Sequence, residues 1–188
     1  MNDDFKFLKL DDVPGPTKEE VRCLVVCKSG VSNDDVVLEI GCGTGGLTSE
    51  FAKRAKKVYS IDKNPKAISL TSKNLKLQKL DKKVELIPGD ALDVIDKIPK
   101  FDILMVGGSS GDLSQILKNG FSNLNENGRI IITAILLETR VDAIKSLQKL
   151  GLSPYIVDVS ISRGKIIERG TMMYAQNPVA IIYAFKGK

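Results

Sequence analysis

The chain has no histidine and no tryptophan among its 188 residues. Without histidine it lacks the usual zinc or non-haem iron ligand and any Ser-His or Cys-His nucleophile pair. Cysteine is scarce: Cys23, Cys27 and Cys42 form no C-x-x-C pair, which argues against structural zinc, and no metal site is expected. Cys23 and Cys27 lie four apart in a helical pattern, a spacing that lets both pack on its buried face as small apolar groups. The aromatic residues are six Phe and four Tyr, few for stacking on bases. No apolar run approaches the roughly 20 residues that span a bilayer. Asp3, Asp4 and Lys6 break up any apolar N-terminal segment, so no signal peptide is read and a cytoplasmic location is expected. Internal repeats and low-complexity segments are also absent.

What remains is the composition of an ordinary globular protein, 43% hydrophobic and 27% charged. Residues 1–188 are read as one domain: an entry segment and helix (1–30), a ligand-binding core (31–150) and carboxyl-terminal strands (151–188). Net charge is +5. Many basic residues fall between Lys53 and Lys83, at spacings that exposed helix faces use. Attraction to nucleic acid or to a polycarboxylate is the alternative reading.

The stretch Val36-Val37-Leu38-Glu39-Ile40-Gly41-Cys42-Gly43-Thr44-Gly45-Gly46 organises the chain. A β-branched apolar run reads as a buried strand. Four glycines in the next six residues allow a tight turn and close approach of a ligand. A helix from about Gly46 then points its amides at that ligand. Gly41, Gly43 and Gly46 also satisfy the dinucleotide fingerprint. Glu39, two residues before the first glycine, departs from it, since dinucleotide folds usually carry an apolar residue there.

Around this centre, Pro14-Gly15-Pro16 makes a bend, and Thr17 with Glu20 reads as a capping box opening a helix that Gly30 stops. Val58–Asp62 is a second strand, with its acid about 20 residues past the first glycine, where an acid reaches ribose hydroxyls. Asn64-Pro65 starts the next helix. Val84–Ile87 is a third strand, followed by Gly89-Asp90-Ala91. Phe101–Val106 is a fourth, apolar on both faces, ending in Gly107-Gly108-Ser109-Ser110-Gly111. Asn127-Gly128 reads as a turn before a fifth strand, Arg129–Leu136. Alternation over 154–161 and the apolar run Val179–Phe185 make an antiparallel pair at the sheet edge. The fold class is therefore α/β: a Rossmann-like, doubly wound, mostly parallel seven-stranded sheet with an antiparallel carboxyl-terminal pair.

The combination E-x-G-x-G-x-G, Asp62 and Gly-Asp-Ala resembles class I S-adenosylmethionine methyltransferases. The opening Pro14-Gly15-Pro16-Thr17-Lys18-Glu19-Glu20-Val21-Arg22, the loop Gly107–Gly111, and Asn177-Pro178-Val179 after Met172 and Ala175 are similar to the cobalt-precorrin C-15 methyltransferase (decarboxylating) family of anaerobic cobalamin biosynthesis. The resemblance covers essentially the whole chain. It implies S-adenosyl-L-methionine bound by Thr17, Gly41, Cys42, Gly43, Thr44 and Gly45, with Asp62 on the ribose and Ala91 beside the adenine, Asp90 close by. It implies a cobalt-bearing polycarboxylate tetrapyrrole as acceptor, methylated at C-15 and decarboxylated at the C-12 acetate, and a homotetramer. Lys18, Arg22, Gly107, Gly108 and Ser109 are candidate acceptor contacts, with Arg163 and Arg169 as further cations for carboxylates. No catalytic residue is assigned. A transfer RNA or ribosomal RNA methyltransferase, or a non-catalytic module of the same fold, is the alternative; neither a nucleic-acid nor a membrane partner is expected.

Overall fold

The structure, a computed structural model, describes residues 1–109 and 111–187. In chain order the main elements are α1 (Glu19–Ser29), β1 (Val36–Ile40), α2 (Gly46–Ala52), β2 (Lys57–Asp62), α3 (Pro65–Leu77), β3 (Val84–Pro88), α4 (Ala91–Val94) and β4 (Phe101–Val106). Then come α5 (Leu113–Asn123), β5 (Leu124–Ala134), α6 (Leu137–Lys149), β6 (Tyr155–Val159), β7 (Ser162–Ile167), β8 (Gly170–Ala175) and β9 (Val179–Phe185).

Seven strands form one sheet in the order β3-β2-β1-β4-β5-β9-β6. β1 to β5 are parallel, and β9 runs antiparallel to both β5 and β6. This is the expected architecture. The chain winds from β1 outward to β3, then returns to β4 on the other side of β1. Ligands bind at such a switch point, outside the carboxyl ends of the strands.

The strand sequences explain why both faces of the sheet are covered. Val37, Ile103, Met105 and Ile131 face one way and pack with Val21 and Val25 of α1 and Leu47 and Phe51 of α2. Their neighbours Leu38, Leu104, Ile130 and Ile132 face the other way, onto Leu113, Ile116 and Leu117 of α5 and Ala143 and Leu147 of α6. All these side chains are almost fully buried. A strand buried on both faces reads as a continuous apolar run.

Several local expectations need correcting. α1 begins at Glu19 with Lys18 at its cap position and no side-chain cap bond, so Thr17 and Glu20 form no capping box. Glu20 is drawn instead to Arg163 on β7, whose Nη2 and Nε donate at 2.6 and 3.2 Å. Cys23 and Cys27 are both exposed. The buried face of α1 carries Val21, Arg22, Val25 and Ser29. Asn127-Gly128 does not separate β5 from what precedes it. The strand starts at Leu124, and the extra residues bulge out between the pairs Phe101–Leu124 and Ile103–Arg129. Asp102 holds that bulge by accepting from Asn125 Nδ2 at 2.8 Å. The polar stretch after β6 forms the antiparallel hairpin β7–β8. Its alternation is masked by charges and Gly164, because both faces are open to solvent.

Arg22 is the largest departure. Read as an acceptor contact, it is 0% exposed. Its Nη1 donates to Asp4 Oδ1 at 2.7 Å and also to the Thr17 carbonyl, and Nη2 donates to the Asn2 carbonyl. Arg163 donates to the other oxygen of Asp4 at 3.0 Å. Burial opposes ionisation of Asp4, but the hydrogen bonds from Arg22 and Arg163 outweigh it and hold the carboxyl below its usual range. Arg22 is thus an internal clamp joining the N-terminal segment, α1 and the hairpin. Removing one partner of a buried pair costs about 3–5 kcal/mol, because the other is left uncompensated. Arg22→Ala is expected to lower unfolding free energy by roughly 3 kcal/mol, since Arg163 still reaches Asp4. Urea denaturation measures this, and an unchanged midpoint would remove the clamp from the account.

Candidate functional site

The carboxyl end of β1 turns at Gly41, which adopts φ +88°, a conformation that suits glycine. A Cβ there would come within 3.0 Å of the Gly108 backbone nitrogen. The loops after β1 and β4 therefore meet backbone to backbone, joined by Gly107 N–H donating to the Ile40 carbonyl at 2.9 Å. Gly45, at φ +83°, lies against Thr71 of α3, where an added Cβ would sit 2.9 Å from the side chain. Thr71 Oγ1 donates to the Gly43 carbonyl at 3.0 Å, and Asn74 Nδ2 to the Thr44 carbonyl at 2.9 Å. The glycine loop is thus fixed from α3 while its other side stays open.

That open side is a cavity of about 330 Å³. It is lined by Thr17, Gly41, Cys42, Gly43, Thr44, Asp62, Asp90 and Ala91 among the expected residues; Gly45 is not in its wall. Asp62 is held by two backbone amides: Gly43 N–H donates to Oδ2 at 3.1 Å and Asn64 N–H to Oδ1 at 2.9 Å. Its remaining lone pairs can accept from a ligand. Asp90 caps α4, accepting from Leu92 N–H at 3.0 Å. The Thr44 hydroxyl is buried without a partner among the described residues. Burial pushes the Cys42 thiol up, so it is a neutral wall group and no nucleophile.

Glu39 lies at the floor of this cavity, 1% exposed. Thr48 Oγ1 donates to its Oε2 at 2.5 Å and Ser60 Oγ at 2.6 Å, so one carboxyl ties β1 to α2 and β2. Desolvation nonetheless pushes its pKa up to about 7. The sequence marks Glu39 as a signature without giving it this structural work. Pro14, Gly15, Lys63 and Asn64 also line the cavity, and no motif singles them out as contacts.

A second cavity, about 700 Å³, adjoins the first. Pro14, Gly15, Thr17, Gly107, Gly108 and Ser109 line both. Lys18 opens onto the second alone, together with Val21, Val106, Leu113, Ile132, Thr133, Thr139, Gln176 and Asn177. Of the candidate acceptor contacts, Lys18, Gly107, Gly108 and Ser109 come together here and Arg22 does not. Ser110, in the expected acceptor loop, lies outside the described residues. Gln176 and Asn177 follow the hairpin, far along the chain from the other lining groups. Asn177-Pro178-Val179 carries their only signal in the sequence.

The smaller cavity suits a nucleoside bearing a positive charge. It has a backbone cradle, an unpaired buried hydroxyl, a carboxylate with spare acceptor capacity, and three acids (Glu39, Asp62, Asp90) against one base, Lys63. Among the described residues no cluster of His, Cys, Asp and Glu could hold a metal. A doubly wound sheet of this order, with a glycine loop at the switch point and acids after the second and third strands, is that of a class I methyltransferase.

A model of the precorrin methyltransferase domain matches residues 14–186, and the chain belongs to that family. It is 50% identical over 186 residues to the protein named "Probable cobalt-precorrin-6B C(15)-methyltransferase (decarboxylating)" of Methanobrevibacter smithii, covering 99% of this chain and 100% of that one. Its fold matches the crystal structure of precorrin 8W decarboxylase from Methanobacterium thermoautotrophicum with TM-score 0.96 and 48% identity, over 98% of this chain and 99% of that one. A precorrin-6y C5,15-methyltransferase from Geobacter metallireducens matches with TM-score 0.90 and 28% identity, over 98% and 96%.

The burial of Glu39 has a measurable consequence. Its pKa is raised from 4.5 to about 7 on folding, so between those values the folded protein binds a proton that the unfolded chain has lost. Stability from this group is full below 4.5 and is lost as pH rises toward 7. Relative to Glu39→Gln, the wild type is expected to lose roughly 3 kcal/mol across that window. Chemical denaturation of both proteins at a series of pH values reads the difference directly. A constant difference would place the ionised carboxylate in the folded state throughout.

Proposed function

We propose that this enzyme methylates cobalt-precorrin-6B at C-15, using S-adenosyl-L-methionine, and removes carbon dioxide from the C-12 acetate, as the names of its relatives suggest. One observation carries the reading: a small cavity over the glycine loop, with three acids in its lining, shares a wall with a larger, mostly apolar one. The first is of a kind that holds a nucleoside, the second of a size and character that suits a macrocycle. S-adenosylmethionine supplies an activated methyl group when bound. Gly41, Cys42, Gly43 and Thr44 would hold it along the loop, Asp62 would accept from the ribose hydroxyls, and Ala91 would pack by the adenine beside Asp90. Gly45 acts behind the loop by letting Thr71 close on it, and Thr17 stands at the junction with the acceptor.

What the chain must do for the acceptor is hold it. Aligning two reactants lowers a barrier by about 7–11 kcal/mol, against about 3–5 kcal/mol for acid–base assistance. An electron-rich ring carbon can attack an activated methyl directly, so a site without histidine suffices. Gly107 and Gly108, free of side chains at the shared wall, let the two ligands approach.

The expected homotetramer is proposed to assemble through the hairpin. Cross-strand pairing puts Ile166, Thr171 and Met173 on one face around Gly164. Ile166 is 85% and Met173 61% exposed. A lone two-stranded sheet is marginal in water, and association would cover this face. Three free thiols suit a reducing compartment, which supports the cytoplasm as the proposed location.

Incubation with S-adenosylmethionine and cobalt-precorrin-6B is expected to give a product that has gained one methyl and lost one carbon dioxide, read by mass. Methyl gain without carbon dioxide loss would assign decarboxylation to another protein. Asp62→Ala is expected to weaken S-adenosylhomocysteine about 10- to 100-fold, the effect of lost charge-assisted hydrogen bonds, as calorimetry will show. Ile166→Lys with Met173→Lys is expected to yield monomers in sedimentation, and an unchanged mass would exclude the hairpin as the interface.

A further inference from the structure

The sequence offers Lys18, Arg22, Arg163 and Arg169 as cations for a polycarboxylate acceptor, and the structure separates them. Arg22 is buried in its clamp. Arg163 is held by Glu20 and Asp4. Arg169 lies at the turn between β7 and β8 and lines neither cavity. Lys18 lines the larger cavity and is half-buried, and its ammonium makes no hydrogen bond or ion pair with the described residues. It is also the one ionisable side chain in that wall among the described residues. No aspartate, glutamate, cysteine or tyrosine accompanies it.

The rest of the wall is largely apolar, with Val21, Val106, Leu113, Ile132 and Val179. A carboxylate about to be lost gains nothing from an ammonium partner. The pairing stabilises the localised charge of the ground state more than the dispersed charge of the transition state. An apolar surface acts the other way, since it raises the energy of the localised charge.

On the footing of the reading above, we propose that Lys18 is the cationic anchor of the acceptor site, gripping a carboxylate that the product keeps, while the carboxylate to be lost lies against the apolar wall. In the decarboxylation, the bond between the side-chain methylene and its carboxylate carbon breaks. The electron pair passes into the conjugated ring, carbon dioxide leaves, and the methylene carbon takes a proton from water. Lys18 donates no proton in this step. It fixes which way round the ring sits.

Lys18→Met and Lys18→Arg test this with the full chain, S-adenosylmethionine and cobalt-precorrin-6B. Lys18 makes no cap bond to α1, so its removal leaves the helix start intact. For Lys18→Met, KM for the tetrapyrrole is expected to rise about 10- to 100-fold, the effect of one charge-assisted contact. We expect kcat to change less than about threefold, methyl gain and carbon dioxide loss to stay coupled, and S-adenosylhomocysteine affinity to stay the same. Lys18→Arg should restore most of KM. A fall in kcat at constant KM, with a change in the alkaline limb of the pH profile, would make Lys18 a proton donor and overturn the proposal. An unchanged KM would overturn it too. If Lys18→Met fails to bind S-adenosylhomocysteine, Lys18→Gln carries the same comparison. A wild-type protein that binds S-adenosylhomocysteine but leaves the tetrapyrrole untouched would overturn the functional reading itself, and this proposal with it.

Discussion

The contact between Gly41 and the Gly107-Gly108 backbone is the constraint on which the site depends. It lies where the chain reverses direction in the sheet, between β1 and β4. Side chains at these positions would force the two loops apart, since a Cβ on Gly41 meets the Gly108 nitrogen at 3.0 Å. With none, the loops pack closely, and Gly107 and Gly108 border both cavities. Two ligands bound on either side would be brought together by the backbone alone. For a transfer reaction, that is the arrangement in which positioning has most effect.

The second wall is built differently. Pro14 to Lys18 line both cavities or lie beside them, yet they belong to no strand or long helix. Arg22 secures them from beneath, through Asp4 and the carbonyls of Asn2 and Thr17. Val13 adds an apolar contact with Cys42, Ala67 and Leu70. An irregular segment becomes a defined wall because a buried guanidinium binds one carboxylate and two backbone carbonyls of that segment at once. The same network reaches Arg163, so the hairpin is anchored to the segment that borders the acceptor cavity.

Apolar runs and glycine spacing made the sheet and its glycine loop legible. Val36–Ile40 and Phe101–Val106 read as strands buried on both faces, and Asp62 ends β2 against the glycine loop, where its spacing puts it. Asn64 caps α3 as its sequence suggests, accepting from Lys66 N–H at 2.9 Å. Long-range pairing was not legible. Nothing in Thr17-Lys18-Glu19-Glu20 announces that Glu20 will turn to an arginine 143 residues away. Cys23 and Cys27 lie on the solvent side of α1 because the buried side is already occupied by Val21, Arg22 and Val25.

The sequence by itself determined the strands and helices of the main sheet, the position of the glycine loop and the acids that end β2 and follow β3. These are local properties, set by side-chain periodicity and by which residues tolerate a tight turn. Tertiary structure decided the use of each charge. Arg22 and Lys18 look alike in the chain, four residues apart at the start of one helix. Folding buries the first among oxygens and leaves the second facing a cavity, because Arg22 lies on the buried face of α1 whereas Lys18 stands outside the helix at its cap, where the backbone is extended. A charge takes its role from the partners that surround it, and those lie outside its own helix.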